Sequence, residues 1–316
     1  MLTFTVKRLL WSIPTLLGVS IATFLMIHLI PGNVVQVMLG TNSNLSPVQI
    51  AELEARYGLN RPLYVQYLSW LGDMLRGNLG FSLHSGLPAA TLIKGAFGVT
   101  LELTVIAMTV SVTLAVTMGI IAAVRRGGWL DLLARSLAIV GLSIPHFWLG
   151  TMLILAASLY LPGLSTFSYV PFAKSPSLNL QAMLLPAFSL GLSLAAIVMR
   201  QTRAAMLEVL GMQYVQTARA KGLTERAVIL RHALRNALIP VVTIVGLQFG
   251  YLLGGAVVIE NVFALPGVGR VVVDAINQRD YPLVQGTVFL IAALFVVINL
   301  LVDLSYGLIN PRIRFQ

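Results

Sequence analysis

Apolar runs long enough to cross a bilayer alternate with polar stretches along most of the chain. The first, residues 9–30, follows Lys7 and Arg8 and holds 22 residues. At a rise of about 1.5 Å per residue it reaches about 33 Å as a helix, enough to cross a hydrocarbon core. A cleaved secretory signal would have a shorter apolar region closed by small residues. Pro31-Gly32-Asn33 follows instead, so a retained span is expected, with His28 as an interfacial residue at its outer end. Five more runs are expected to span: 100–124, closed by Arg125 and Arg126; 136–161; 184–199; 239–259; and 284–304. Ser143-Ile144-Pro145 falls inside the third run, where a proline frees a backbone carbonyl and bends the helix.

The polar stretches carry elements of their own. Within the long loop 31–99, Ser46-Pro47-Val48-Gln49 offers an N-cap, a first-turn proline and the glutamine of a capping box. The helix it opens is expected to reach Tyr57 and stop at Gly58. Asn60-Arg61-Pro62 opens a second helix, YVQYLSWLGDML, ending at Gly77. Its Tyr64, Tyr67 and Trp70 recur at three-residue spacing. That suits either a helix lying at the membrane interface or an aromatic face packed on the rest of the loop. A loop rich in Pro, Ser and Gly (162–183) and another at 260–283 join later runs. The expected division is a first span (1–30), an outer loop (31–99) and a five-helix core (100–316) with a polar loop at 200–238.

A few polar or small residues stand inside the runs. Glu102 is placed in the first turn of the second, where the helix dipole favours a carboxylate and headgroups are in reach; a transport role is the other reading. Gly246, Gly250 and Gly254 recur at four-residue spacing in the fifth run, with Gly255 beside the last, making a smooth face that another helix can approach. Gln248 and Tyr251 lie elsewhere on that helix, polar at membrane depth. Asn299 and Asp303 share a face near the inner end of the last run. An unpaired charge at mid-bilayer costs about 3 kcal/mol, which Asp303 escapes near the interface, facing Arg312 or Arg314.

Composition agrees with this pattern. Of 316 residues 57% are hydrophobic and 10% charged, and the mean hydropathy is +0.87. That leaves too little polar surface for a soluble multidomain enzyme. The fold class expected is therefore an all-α polytopic membrane protein with six transmembrane helices. The net charge of +10 reflects cytoplasmic loops rather than nucleic-acid binding. With six spans both termini share a side, and the termini with the 125–135 and 200–238 loops hold fourteen Lys/Arg against seven on the other side. Both termini are thus expected in the cytoplasm, with the long first loop outside. The absence of cysteine rules out disulfides, thiolate metal sites and a cysteine nucleophile.

No catalytic constellation appears. The four histidines form neither HExxH nor an i, i+4 pair, and there is no GxSxG elbow and no GxxxxGK[ST] phosphate loop. No metal site is expected, and no P-loop ATPase can reside in this chain. With Glu102 and Asp303 as the only acids and no Lys or Arg in the runs, an ion-coupled carrier lacks the expected midplane relay. The remaining rivals are a membrane-embedded enzyme using one of those acids and a stand-alone channel or carrier. What is present is the segment 214–240, with five basic residues (Arg219, Lys221, Arg226, Arg231, Arg235) and one acid, Glu225. Residues around Ala218 and Ala220 favour helix, Gly222 permits a turn, and 223–234 resumes the helix. Two short helices joined at a small residue form a knob that suits either the groove of a partner domain or an anionic lipid surface.

Tyr214-Val215-Gln216-Thr217-Ala218-Arg219-Ala220-Lys221-Gly222-Leu223, followed by Arg231-His232-Ala233-Leu234-Arg235-Asn236-Ala237-Leu238-Ile239-Pro240, resembles the coupling loop of binding-protein-dependent ABC importer permeases. Within them it is similar to the B-type subunit of the dipeptide/oligopeptide/nickel branch. The resemblance extends over nearly the whole chain: Lys7-Arg8-Leu9, Tyr57-Gly58-Leu59 with Arg61-Pro62, Gly80 with Ser82, and Thr100-Leu101-Glu102. Later come Glu260-Asn261-Val262-Phe263, Pro266-Gly267-Val268-Gly269-Arg270, Arg279-Asp280-Tyr281-Pro282 and Asn310-Pro311-Arg312. Departures are Gln216-Thr217-Ala218 where the wider pattern has Glu-Ala-Ala, and Leu234-Arg235 where it has Leu-Pro, with Pro240 further on. Pro31-Gly32-Asn33-Val34 and Gly77-Asn78 also stand where acids are usual. The resemblance implies a type I importer permease in a bacterial inner membrane. Its partners would be a homologous C-type permease, two cytoplasmic ATPases that use ATP and Mg, and an extracytoplasmic solute-binding protein. It implies no cofactor bound by this chain and no catalysis by it. Short peptides are the first expected cargo, with glutathione-like peptides or nickel chelates as alternatives. Gln216, Thr217, Ala218, Arg219, Ala220, Lys221, Gly222 and Leu223 are expected to dock on an ATPase. Gly246, Gln248, Gly250, Tyr251 and Gly254 are expected to border the path or pack helices.

Overall fold

The computed structural model describes residues 2–28, 48, 55, 59–161 and 169–309. Apart from Val48 and Ala55, the expected helix at 46–57 lies outside the described residues, as do the motifs at 31–34 and 310–312 and the side chain of Asp303. Helix α1 is Leu2–His28 and α2 is Leu63–Leu75. Helix α3 is Ala89–Val124, α4 Trp129–Ser143, α5 His146–Tyr160, α6 Pro176–Leu210 and α7 Gln213–Ala220. One turn at Glu225–Ala227 and a π-helical stretch at Val228–Ala233 lead into α8, Leu234–Val262. Helices α9, Val268–Asn277, and α10, Tyr281–Ile309, complete the described chain.

Four segments among the described residues are long and apolar enough to cross a membrane: α3, α6, Glu225–Val262 and Tyr281–Leu300. The pair α4–α5 makes a fifth if its two halves count as one span, and the apolar part of α1, Leu10–Met26, is shorter.

Three expectations need correction. Helix α3 starts eleven residues before the apolar run, because Ala89, Ile93 and Ala96 recur on one face and are buried. Glu102 therefore lies in about the fourth turn and gains nothing from the N-terminal dipole. The third run is bent at the proline as expected, but it forms two helices rather than one: α4 and α5 meet at 103°. Ile144, pushed to an extended φ −86°, ψ 122° by the proline after it, ends the first half. The knob is not two short helices, since the chain beyond Gly222 passes through the π-helical stretch directly into α8. The loop 260–283 likewise contains α9.

The chain divides into two units, Met1–Gly98 with Pro266–Leu300, and Val99–Leu265 with Leu301–Gln316. In the first, Met74, Leu79, Ala89, Ile93 and Ala96 share a core with Val268, Ala275, Leu283 and Val284. Phe24 of α1 packs against Tyr67 and Trp70 of α2, with ring centroids 5.4 and 5.9 Å away, and the Tyr67 hydroxyl lies 2.8 Å from Ser20 Oγ. Two of the three periodic aromatics thus face the first helix, while Tyr64 is exposed. The buried Ser82 hydroxyl donates to the buried Asp280 carboxylate. Helix α9 ends in a Schellman turn, with Asp280 N–H on Ala275 O at 2.8 Å, whose left-handed residue is Arg279 at φ +57°.

In the second unit α6 is buried along most of its length and packs on α3, α4, α5 and α8. Its close neighbour is α3. A Cβ added at Gly119 would sit 2.7 Å from Thr202 Cβ, and one at Gly191 would sit 2.0 Å from Ser111 Oγ and 2.9 Å from Ala107 O. Ser111 Oγ donates to Gly191 O across the pair at 2.8 Å. Neither contact surface can widen without losing packing, the main attraction between helices in lipid. Gly191→Ala is therefore expected to cost about 1–3 kcal/mol, read as a lowered unfolding midpoint in detergent. Gly254→Ala, where an added Cβ meets nothing within 4 Å, should leave the midpoint unchanged.

Candidate functional site

The 213–234 segment is built from the inside out. Helix α6 stops at Gly211, Met212 is extended at φ −74°, ψ 147°, and α7 follows. Val215 and Ala218, three apart and so on one face, are buried. They join a core with Ala123, Ala205, Met206, Val209, Val228, Ala233 and Ala237. Helix α7 is thereby fixed to the ends of α3 and α6 and to the start of α8. It closes in a Schellman turn: Gly222 N–H reaches Arg219 O at 2.9 Å and Leu223 N–H reaches Ala218 O at 3.4 Å. Gly222 occupies the left-handed position at φ +79°, which glycine takes without a steric penalty.

Side chains tie the turn across. Arg219 donates twice to Glu225, Nη2 to Oε1 at 2.7 Å and Nε to Oε2 at 3.1 Å, and the pair holds the Glu225 carboxyl below its ordinary range. Tyr214 Oη accepts from Asn236 Nδ2 at 2.7 Å and approaches His232 O at 3.4 Å. Of the eight residues expected to dock, Gln216, Thr217, Arg219, Ala220, Lys221, Gly222 and Leu223 are exposed, whereas Ala218 belongs to the inner core. Ala218 is thus an anchor rather than part of the outward face.

Close in sequence to Ala123, a second node forms at the start of α4. Asp131, ahead of the apolar run that begins at Ser136, is 1% exposed. It accepts from Arg203 Nε at 2.6 Å, Arg203 Nη2 at 3.0 Å and Gly127 N–H at 3.0 Å, with Arg135 3.5 Å away. The Arg203 hydrogen bonds and the Gly127 amide hold its carboxyl at about 2, despite the opposing effect of burial. Nothing in the sequence spacing pairs Asp131 with Arg203, 72 residues away.

The expected path residues are not gathered at this node. On α8, Gly250 is buried, Gly246 and Gln248 are half-buried, and Gly254 and Tyr251 are exposed, Tyr251 to 70%. The tight contact on that helix is at Gly255, where an added Cβ would lie 3.0 Å from Leu190 Cδ1. Two acids were also underread. Glu260 is fully buried and accepts from Thr100 Oγ1 at 2.6 Å. Glu102 Oε2 accepts from the Tyr169 hydroxyl at 3.0 Å, and burial, together with this bond, pushes the tyrosine up to about 12. No group of three or more His, Cys, Asp or Glu able to hold a metal occurs among the described residues.

Comparison with known proteins decides what this architecture belongs to. Residues 115–315 match the model of the binding-protein-dependent transport system inner membrane component, and residues 1–116 match that of its N-terminal region. The chain belongs to this family of transport permeases. Over its whole length the permease is 42% identical to the dipeptide transport system permease protein DppB of Escherichia coli (strain K12), with all of that chain covered. It is 43% identical to DppB of Alkalihalophilus pseudofirmus and 42% identical to the glutathione transport system permease protein GsiC of E. coli (strain K12), again across both full lengths. Among solved structures, the crystal structure of an amino acid ABC transporter with histidines aligns at a TM-score of 0.46 and 19% identity, over 71% of the permease and 94% of that chain. As a member of this family the permease is a multi-pass inner-membrane component of an ABC importer, a transport subunit rather than an enzyme, which works with an ATPase and a binding protein.

The Asp131 node yields a stability prediction for the permease. Arg203→Met leaves a buried carboxylate without its main partner, which costs about 3 kcal/mol near neutral pH. Because the folded-state value of about 2 lies below the ordinary 3.8, the contribution of the pair is complete above that ordinary value. It is lost as the pH falls toward 2. Unfolding midpoints of wild type and Arg203→Met in detergent should therefore differ at pH 7 and converge over that acid interval.

Proposed function

We propose that this permease is the B-type transmembrane subunit of an ATP-driven importer of short peptides, and that its 216–223 turn is the handle by which a cytoplasmic ATPase moves it. The observation that carries this reading is the two-sided build of the turn. Val215 and Ala218 anchor it from within, while seven of the eight expected docking residues face outward. A rigid knob with an exposed basic and apolar face fits a groove in a partner domain. Six spans, with both termini on the same side as this turn, follow from the apolar runs and from the excess of Lys and Arg in its loops. A homologous C-type permease completes the path, two ATPases bind ATP and Mg, and an extracytoplasmic protein delivers the solute. Short peptides are the cargo favoured by the relatives named for dipeptides. Glutathione, itself a tripeptide, is the second reading, supported by the equal identity to the glutathione permease.

Gly222 supplies the test. A Cβ there meets nothing within 4 Å inside this chain, so Gly222→Trp bears only a left-handed strain of about 1–2 kcal/mol. The variant should reach the membrane in normal amount and lose uptake of a labelled dipeptide; normal uptake would refute the coupling role. The path reading has its own test, because the chain has no native cysteine. Single cysteines at Gln248 and Tyr251 should change their reactivity toward a water-soluble thiol reagent between nucleotide-free and ATP-bound complexes. Protection of both in every state would place them away from the path.

A further inference from the structure

The stretch between the turn and α8 is not ordinary helix. Val228–Ala233 is π-helical, with Leu234 N–H bonded to Ile229 O. Such a stretch has one residue too many for the α ladder, so it is a compliant place in an otherwise stiff rod. It lies in series along the chain between the proposed handle and the fifth apolar run. A displacement of α7 passed only through the backbone would be absorbed there.

Two side-chain ties change this. Arg219–Glu225 joins the C-terminal end of α7 to the chain before the π-helical stretch. Tyr214, at the other end of α7, reaches Asn236 beyond it, with Asn236 Nδ2 donating to Tyr214 Oη at 2.7 Å. The same hydroxyl and the same amide both point at the carbonyl of His232, within the stretch, at 3.4 Å each. Helix α7 is therefore fastened on both sides of the compliant stretch, and the Tyr214–Asn236 bond carries load past it to α8.

We infer that Tyr214 and Asn236 are positioning residues for transport, a latch that shunts the movement of α7 around the π-helical stretch into the fifth span. The inference rests on the coupling role of the turn proposed above. Their polar ends sit at an exposed part of the chain, so losing the bond costs the fold little, whereas it leaves only the small-residue core of Val215, Ala218 and Ala237 to link α7 to α8 past the compliant stretch.

The test uses the full importer reconstituted with its ATPases and binding protein. ATP hydrolysis and uptake of a labelled dipeptide are measured together for Tyr214→Phe, Asn236→Ala, the double variant and Gly222→Trp. Tyr214→Phe keeps the ring and its packing and removes only the hydroxyl. The expected result is binding-protein-stimulated ATP hydrolysis near wild type and about fivefold more ATP consumed per dipeptide in each latch variant. The double variant should be no worse than either single one, because both remove the same bond. An unchanged ratio in both single variants would overturn the latch. So would ATPase and uptake falling in proportion with loss of co-purified ATPase, since the pair would then serve assembly. The two readings fail separately: loss of uptake in Gly222→Trp with normal Tyr214→Phe retains the coupling role and rejects the latch. Normal uptake in Gly222→Trp rejects the coupling role itself.

Discussion

The Val99–Leu265 unit is built around α6, and the closest backbone approach to it is that of α3 at Gly119 and Gly191. In a bilayer, lipid tails solvate leucine as well as another helix does, so association relies on dispersion contacts and on polar groups with nowhere else to bond. Gly119 under Thr202 and Gly191 under Ser111 let two backbones come within the reach of both, and the Ser111 hydroxyl bonds the Gly191 carbonyl across the gap. With that contact made, α6 becomes the axis on which α4, α5 and α8 are laid. Its last turns carry Arg203 to Asp131 and continue, through Gly211, into α7.

The polar groups obey the same economy. Asp131, Asp280 and Glu260 are buried acids, and each has a partner: two arginines and an amide, a serine and a threonine. Apart from those from Gly127 and Arg135 to Asp131, these bonds are long-range. They stitch segments far apart in sequence and sit at helix ends, where a carboxylate can be satisfied without crossing the hydrocarbon. The 213–234 segment adds a division of labour. Small and branched residues face inward, and cations and a glycine turn face outward. A π-helical stretch behind them supplies give, and Tyr214 bridges it.

Much was legible in the residues themselves. The runs that became α3, α6, α8 and α10 were visible because a bilayer demands about twenty apolar residues in sequence, a requirement that needs no tertiary partner. The end of α2 at Gly77 and the turn at Gly222 were visible because few residues other than glycine accept a left-handed φ cheaply. That rule has limits, since Arg279 occupies the same position at the end of α9. The exposed face of the 216–223 turn was marked by its charges. That Ala218 faces inward was not legible, because an alanine on an amphipathic helix carries no sign of which side it faces.

By itself, then, the sequence determined that this is a membrane-spanning chain, where its long apolar segments run and where the glycine turn after residue 221 falls. These follow from hydrophobic length, charge distribution and local backbone preference, all short-range properties. Tertiary structure alone decided that α3 begins at Ala89, where a buried face extends it, and that Glu102 meets Tyr169 instead of a helix dipole. It also decided that Asp131 belongs to Arg203. Each depends on which surfaces meet across tens or hundreds of residues, and no window along the chain contains both partners.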